Sequence, residues 1–288
     1  MTAAIRAAPR GLALDGRTAR KSVAVVILLA VLALMLAPFV IVTLNAFKSP
    51  AEYAREGPLS VPTELYTTGL VDFWNRVDFG RKLINSAVIS VTVATFAVVL
   101  SLLNAFAIGI GRVRGRVWFL VLFMIANTLP HEALVYPLYF MAKAVGLYDT
   151  QLSVIIIFTV IQSAFGTYLL SSVFSAFPRE ILDAAAVDGA NKLQILFRVI
   201  VPISRPTLSV LFTFFFIWTW NEFFLPLIFL ISNANQTVPV ALAVLQGQRL
   251  MDATTSSGSA LLGIVPTIIF FLLFQRTLTR GIAAGALK

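Results

Sequence analysis

The sequence predicts an all-α polytopic membrane protein with six transmembrane helices, and three observations carry that prediction. Of its 288 residues, 59% are hydrophobic and only 12% charged, with a mean hydropathy of +0.90. A water-soluble domain needs about 25% charged residues to cover its surface, so the composition argues against a soluble globule, a disordered chain and a nucleic-acid-binding module. Apolar runs that approach or exceed the roughly 20 residues needed to span a bilayer recur six times. Lysine and arginine are concentrated in alternate loops, the pattern that marks one side of a membrane.

Taken in order, the runs cover residues 22–47, 84–110, 117–141, about 152–174, 208–231 and 260–274. The first follows a basic tail (1–21), as a signal peptide would. Its apolar stretch outruns the roughly 7–15 residues of a cleavable signal, so it reads as an uncleaved anchor. Residues 48–83 form one long external loop without an apolar stripe of helical period. The remaining permease-like core is 84–278, with a tail at 279–288. The third run contains Pro130 and Pro137, and the sixth, the shortest, has room to begin near Ser256.

Orientation follows from charge. The N-terminal tail, the loop around Arg112, Arg114 and Arg116, the loop carrying Arg179, Lys192, Arg198 and Arg205, and the C-terminal tail together hold 15 basic and four acidic residues. The other side holds seven of each. The positive-inside rule then places both termini in the cytoplasm, and the net charge of +9 reports topology and needs no nucleic acid. With no cysteine and one histidine, disulfides, thiolate metal sites and histidine clusters are excluded. A membrane-embedded enzyme would need a paired nucleophile and base, which these runs lack; no catalytic or metal-binding residue is assigned.

The loop at about 175–205 is the most informative segment. Pro178 suits a first helical position, and Glu180 an N-terminal turn. Ala184, Ala185 and Ala186 favour helix, and Gly189 ends it in a left-handed conformation. Asn191 with Gln194 forms a capping box for a second short helix. Leu193, Leu196, Phe197 and Ile200 fall on one face of that helix before Pro202 stops it. The prediction is a rigid knob, apolar toward the bundle, with an Ala/Asp tip outward.

This segment, with Asp183-Ala184-Ala185, Asp188-Gly189-Ala190 and Ile200-Val201-Pro202, resembles the EAA loop of ATP-binding-cassette (ABC) importer permeases. More narrowly, the chain is similar to carbohydrate-uptake permeases of the maltose and glycerol-phosphate type. Asn85-Ser86, Pro137-Leu138-Tyr139, Trp220-Asn221-Glu222-Phe223, Val238-Pro239-Val240 and Gln275-Arg276 recur in the family's order. The resemblance implies a type I importer fold in a prokaryotic plasma (inner) membrane, and partnership with a second permease, two copies of a cytoplasmic ATPase and an external or periplasmic sugar-binding protein. It also implies that Asp183, Ala184, Ala185, Asp188 and Gly189 dock on the ATPase. Asp183 stands where the family usually has glutamate. No Gly-x-x-x-x-Gly-Lys-Ser/Thr stretch is present, so this chain binds no cofactor, and ATP with its magnesium belongs to the partner.

Acids inside a membrane are costly and mark a pathway by default. His131 and Glu132 lie mid-way along the third run, and Asn221 and Glu222 near the middle of the fifth, beside Trp218 and Trp220. Asn127, Tyr136, Tyr139 and Gln162 add hydrogen-bonding groups. Sugars need this mixture, since hydroxyls pair with carboxylate and amide groups while an aromatic face covers the ring. The expected substrate pathway therefore comprises Asn127, His131, Glu132, Tyr136, Trp218, Asn221 and Glu222. No lysine or arginine lies mid-span, which favours a neutral mono- or oligosaccharide. The alternative is an ion-coupled secondary transporter or channel using the same carboxylates.

Overall fold

The computed structural model describes residues 16–111, 113–247 and 252–286; Arg6, Arg10, Arg112 and Lys288, which contribute to the charge asymmetry, lie outside them. Among the described residues the chain is helical and has no strand. Five helices are long and apolar enough to cross a membrane, and a bent pair makes a sixth span.

Helix α1 (Gly16–Ala46) is the expected anchor, with its apolar surface exposed along nearly its whole length. It packs chiefly on the last helix, α13 (Ala253–Ala286). That helix is longer than the apolar run at 260–274 at both ends, and at its start Thr254, Ser256 and Ser257 extend it with groups bonded locally to Asp252 and Ala253.

Residues 48–83 correct one expectation. They contain α2 (Pro50–Glu56), α3 (Thr68–Arg76) and the start of α4 (Phe79–Ala105). Lys48 is buried and donates to Asn45 Oδ1 and the Gly57 carbonyl, at 3.0 and 2.9 Å. The Glu52 carboxylate accepts from both the amide and hydroxyl of Thr63, and those bonds hold its pKa below the ordinary carboxylate value. Helix α3 buries Phe73 against Phe79 and rests Leu70 on Gly258 of α13. Short polar tethers thus fold a segment whose periodicity is too brief to recognise.

The core is α4 packed on α7 (Gln151–Ser175) and α10 (Val201–Asn221). A Cβ on Gly166 of α7 would collide with the Ser101 side chain of α4 and lie 3.0 Å from Phe215 of α10. Small residues at this seam, Ala94, Ala97 and Ala105 among them, let backbones approach where lipid offers no hydrophobic drive for association. Ser101 Oγ donates to the Ser163 carbonyl across it at 3.2 Å. Gln162, noted in the sequence as a hydrogen-bonding group within a span, is fully buried and donates to Thr219 of α10 at 2.8 Å. It joins helices.

The third span is broken. Helix α5 (Arg116–Thr128) and the segment His131–Ala144, which includes α6 (Val135–Ala144), meet at 91°. The cause is Pro130: it has no N–H, and it drives Leu129 to an extended conformation (φ −69°, ψ 126°). The fifth span is also redrawn. Helix α10 ends at Asn221, and a separate α11 (Phe224–Phe229) follows, so Glu222 sits at a helix end and not mid-span.

Beyond α11, residues 231–238 lead into α12 (Val238–Gly247), a helix too short to register as a span in the hydropathy. Buried Lys82 donates to both the carbonyl and the side chain of Asn233. Asn85 donates to the carbonyls of Ala234 and Gln236, each at 2.9 Å, and accepts from Gln151. Ser86 Oγ accepts from the Val238 amide. The Asn85-Ser86 and Val238-Pro239 motifs are therefore two halves of one clamp. Asp149, between α6 and α7, reinforces it from the side. Burial disfavours its charge, but the Ser232 hydroxyl and amide outweigh that and hold its pKa below normal.

Candidate functional site

Two groups of residues stand out, one at each end of a single long helix. At the first end, α8 (Arg179–Val187) starts from Pro178, which occupies the cap and not the first helical position. Leu182 packs on the core, while Asp183, Ala184 and Asp188 face outward and Val187 is 86% exposed. Gly189 turns the chain with φ +79° and open space around it. Asn191 and Gln194 form the capping box in full, at 2.8 and 2.9 Å. The expected knob and its turn chemistry are present.

Past the capping box the chain departs from expectation. The three-residue α9 (Lys192–Gln194) runs through a π-helical turn (Ile195–Ile200) directly into α10. Pro202 does not stop it, because it falls in the first turn after the wider π turn, where its missing N–H is tolerated. The same turn splits the apolar face. Leu196 and Ile200 are fully buried, whereas Leu193 and Phe197 are exposed, at 63% and 58%. The knob therefore carries three uncovered apolar side chains, Val187, Leu193 and Phe197, in addition to its acidic tip. The 30 residues Lys192–Asn221 make one continuous helix, about 45 Å long at 1.5 Å per residue.

At the far end of that helix the two breaks meet. His131 Nε2 lies 3.4 Å from Glu132 Oε1 and 3.9 Å from Glu222 Oε2. Glu222 also caps the start of α11, accepting from the Phe224 amide at 3.1 Å. The lone histidine thus links the proline break of the third span to the end of the fifth. Beside it, Phe214, Ile217, Trp218, Asn221 and Glu222 line an open cavity of about 460 Å³. Trp218 stands edge-on to Phe214 and Phe165, which fixes its ring. Trp220 points the other way and is buried against Phe270 and Phe216.

The remaining pathway residues are placed differently. Asn127 is exposed one turn before the break and donates to the Phe123 carbonyl at 2.7 Å. Tyr136 is 74% exposed and stacks edge-on with Phe140. Neither makes a hydrogen bond or ion pair to the histidine–carboxylate group. Tyr139 belongs to a separate cluster with Tyr148, under the Lys143 ammonium. Among the described residues no three His, Cys, Asp or Glu side chains converge as a metal site. The site offers two carboxylates, an imidazole, an amide and an indole face, suited to an uncharged polyhydroxyl ligand.

Comparison with known proteins gives this architecture a family. Residues 97–280 match the model described as "Binding-protein-dependent transport system inner membrane component". The chain is 32% identical over 262 residues to the inner membrane ABC transporter permease protein YcjP of Escherichia coli, covering 89% of this chain and 92% of that one. It is likewise 32% identical over 241 residues to the trehalose transport system permease protein SugB of Mycobacterium tuberculosis, covering 83% and 88%. In fold it is similar, at a TM-score of 0.70 and 22% identity over 91% of this chain and 98% of that one, to a chain from the crystal structure of a bacterial ABC transporter involved in the import of the acidic polysaccharide alginate. A match over most of the membrane core, with near full-length relatives, makes the chain a member of the family of inner membrane components of binding-protein-dependent transport systems.

Proposed function

We propose that this chain is one of two permease subunits of an ABC importer for a neutral sugar, loaded by an external binding protein and driven by two copies of a cytoplasmic ATPase. One observation carries the reading: a single 30-residue helix joins the knob to the polar break. Closure of the ATPase on α8 moves that helix as a unit, and the movement reaches Glu222, its contact with His131, and the cavity beside them. The exposed apolar side chains on the knob support docking, since Val187, Leu193 and Phe197 would otherwise face water. The cargo class rests on the trehalose relative and on the chemistry of the break, where Glu222 borders the cavity and Glu132 lies beside it through His131, and two carboxylates disfavour an anion.

The coupled reading makes uptake strictly ATP-dependent. In vesicles holding the assembled transporter, the binding protein and the cargo, uptake is expected to require ATP and to survive ionophores that collapse ion gradients. Gradient-driven uptake without ATP contradicts the proposal and favours ion coupling through Glu132 or Glu222.

Orientation is part of the proposal. The basic loops place the knob and both termini in the cytoplasm. The chain contains no cysteine, so a single introduced thiol reports cleanly. Leu65→Cys, in the exposed 48–83 segment, is expected to label from outside in intact cells, and Val187→Cys only after permeabilisation. External labelling at position 187 overturns the arrangement.

A further inference from the structure

We propose that the groove between α10 and α13, at the knob end of the bundle, is a binding site for one anionic phospholipid. The groove has a volume of about 390 Å³ and is lined by Arg205, Leu208, Ser209, Phe212, Phe274 and Thr277. Arg205, Leu208, Ser209 and Phe212 follow at the spacing that places them on one face of α10, opposite Phe274 and Thr277, one turn apart on α13. The lining is graded. Arg205 and Thr277 lie toward the knob, and Phe212 lies deeper, in the apolar part of the span. A phospholipid has the same order, with phosphate at the membrane surface and acyl chains inward.

Arg205 is the residue that calls for an anion. It lies within the long membrane helix Lys192–Asn221, at the point where the apolar run begins. Its side chain is exposed at the knob-side edge of the span, the level of the lipid headgroups, and among the described residues it makes no hydrogen bond or ion pair, so its charge is open to an anionic headgroup. The acids of the adjoining knob, Asp183 and Asp188, are exposed and do not reach it. Ser209 and Thr277 add hydroxyls that can donate to phosphate oxygens beside the guanidinium, the geometry in which arginine binds phosphate with two parallel N–H bonds. Outside the groove, α13 presents exposed Phe271, Leu272 and Leu273, an apolar wall against which acyl chains can lie. Basic pockets between membrane helices recognise anionic headgroups by this combination of charge and apolar wall. Such a site requires only the membrane location of the chain and does not depend on the cargo.

The test is native mass spectrometry of the assembled transporter from nanodiscs containing equal phosphatidylglycerol and phosphatidylcholine. The wild type is expected to retain phosphatidylglycerol over phosphatidylcholine by about fivefold more than Arg205→Gln does, the factor for one basic residue at an anionic surface. Arg198→Gln, outside the groove, is expected to match the wild type, and Ser209→Leu, which fills the groove and keeps the charge, to lose the preference. Equal retention in Arg205→Gln and the wild type overturns the site, as does a wild type with no preference for phosphatidylglycerol. If inorganic phosphate displaces the lipid at millimolar concentration, the groove binds a free anion and the lipid assignment is wrong. Should Arg205→Gln fail to assemble, Ser209→Leu and the wild-type preference decide the outcome.

Discussion

Gly189→Val and Asp183→Lys are expected to separate the permease from its ATPase and stop uptake, while leaving the membrane bundle intact. Gly189 has φ +79°, and a Cβ added there would find nothing within 4 Å, so a larger residue meets no neighbour. The cost is conformational, about 1–2 kcal/mol for a residue forced into the left-handed region, and larger for a β-branched one. It is confined to the turn that sets the angle between α8 and the long helix. A strain of that size lowers docking affinity roughly tenfold, and Asp183→Lys also reverses a charge at the contact. Gly189→Asn is the informative control, because asparagine tolerates the left-handed region and is expected to keep most activity. Co-purification of the ATPase and uptake are the readouts. Normal association in both Gly189→Val and Asp183→Lys contradicts the docking assignment.

Glu132→Leu is expected to reduce uptake nearly to background at unchanged expression, and Glu132→Gln to reduce it partially. The carboxylate stands 3.4 Å from His131 Nε2, which in turn reaches Glu222 across the two broken spans. Glutamine keeps the shape and one acceptor oxygen, so a hydroxyl of the cargo still finds a partner. Leucine removes both and leaves the imidazole linked to Glu222 alone, the longer of its two contacts. Full uptake in Glu132→Leu rules out a pathway role. The same site bears on the cargo. Among the residues that border the cavity beside Trp218 there is no lysine or arginine and Glu222 is the carboxylate, with Glu132 close by through His131, so an anionic sugar would meet acid without compensation from this lining. A phosphorylated or otherwise anionic sugar on the cognate binding protein contradicts the neutral assignment.

How legible these features are in the sequence depends on the range of the physics behind them. Six spans and the knob can be read because both rest on local rules: hydropathy over one bilayer thickness, a left-handed glycine, a cap satisfied three residues on. The kink at Pro130 is foreseeable in kind but not in size, since 91° needs the extended Leu129 as well as the missing N–H. Pro202 misleads because a proline after an α turn stops a helix, whereas a proline after a π turn does not, and nothing local distinguishes the two. That ambiguity hides the continuity of the long helix. Grouping His131 and Glu132 with Glu222 requires two breaks to face each other, a tertiary fact. Gln162 reads in the sequence only as a hydrogen-bonding group within a span, and its amide serves Thr219 inside the α7–α10 seam. The buried clamp of Lys82, Asn85 and Ser86 on residues 233–238 joins positions about 150 apart in sequence, and only the short motifs at its two ends hint at it.

The central claim is that Lys192–Asn221, continuous through its π turn and past Pro206, transmits force from the knob to the break at Glu222. Ile203→Gly with Thr207→Gly softens that helix between its ends, at about 0.5 kcal/mol of helix propensity per site relative to the residues replaced. Ile203 is exposed, and neither residue belongs to the docking tip or the cavity. The decisive measurement is the number of sugar molecules imported per ATP hydrolysed by the reconstituted transporter. Transmission through the helix predicts that the double variant still binds its ATPase and hydrolyses ATP, while import per ATP falls about fivefold, the scale set by a propensity loss of about 1 kcal/mol. An unchanged ratio, with the softened helix in place, contradicts it.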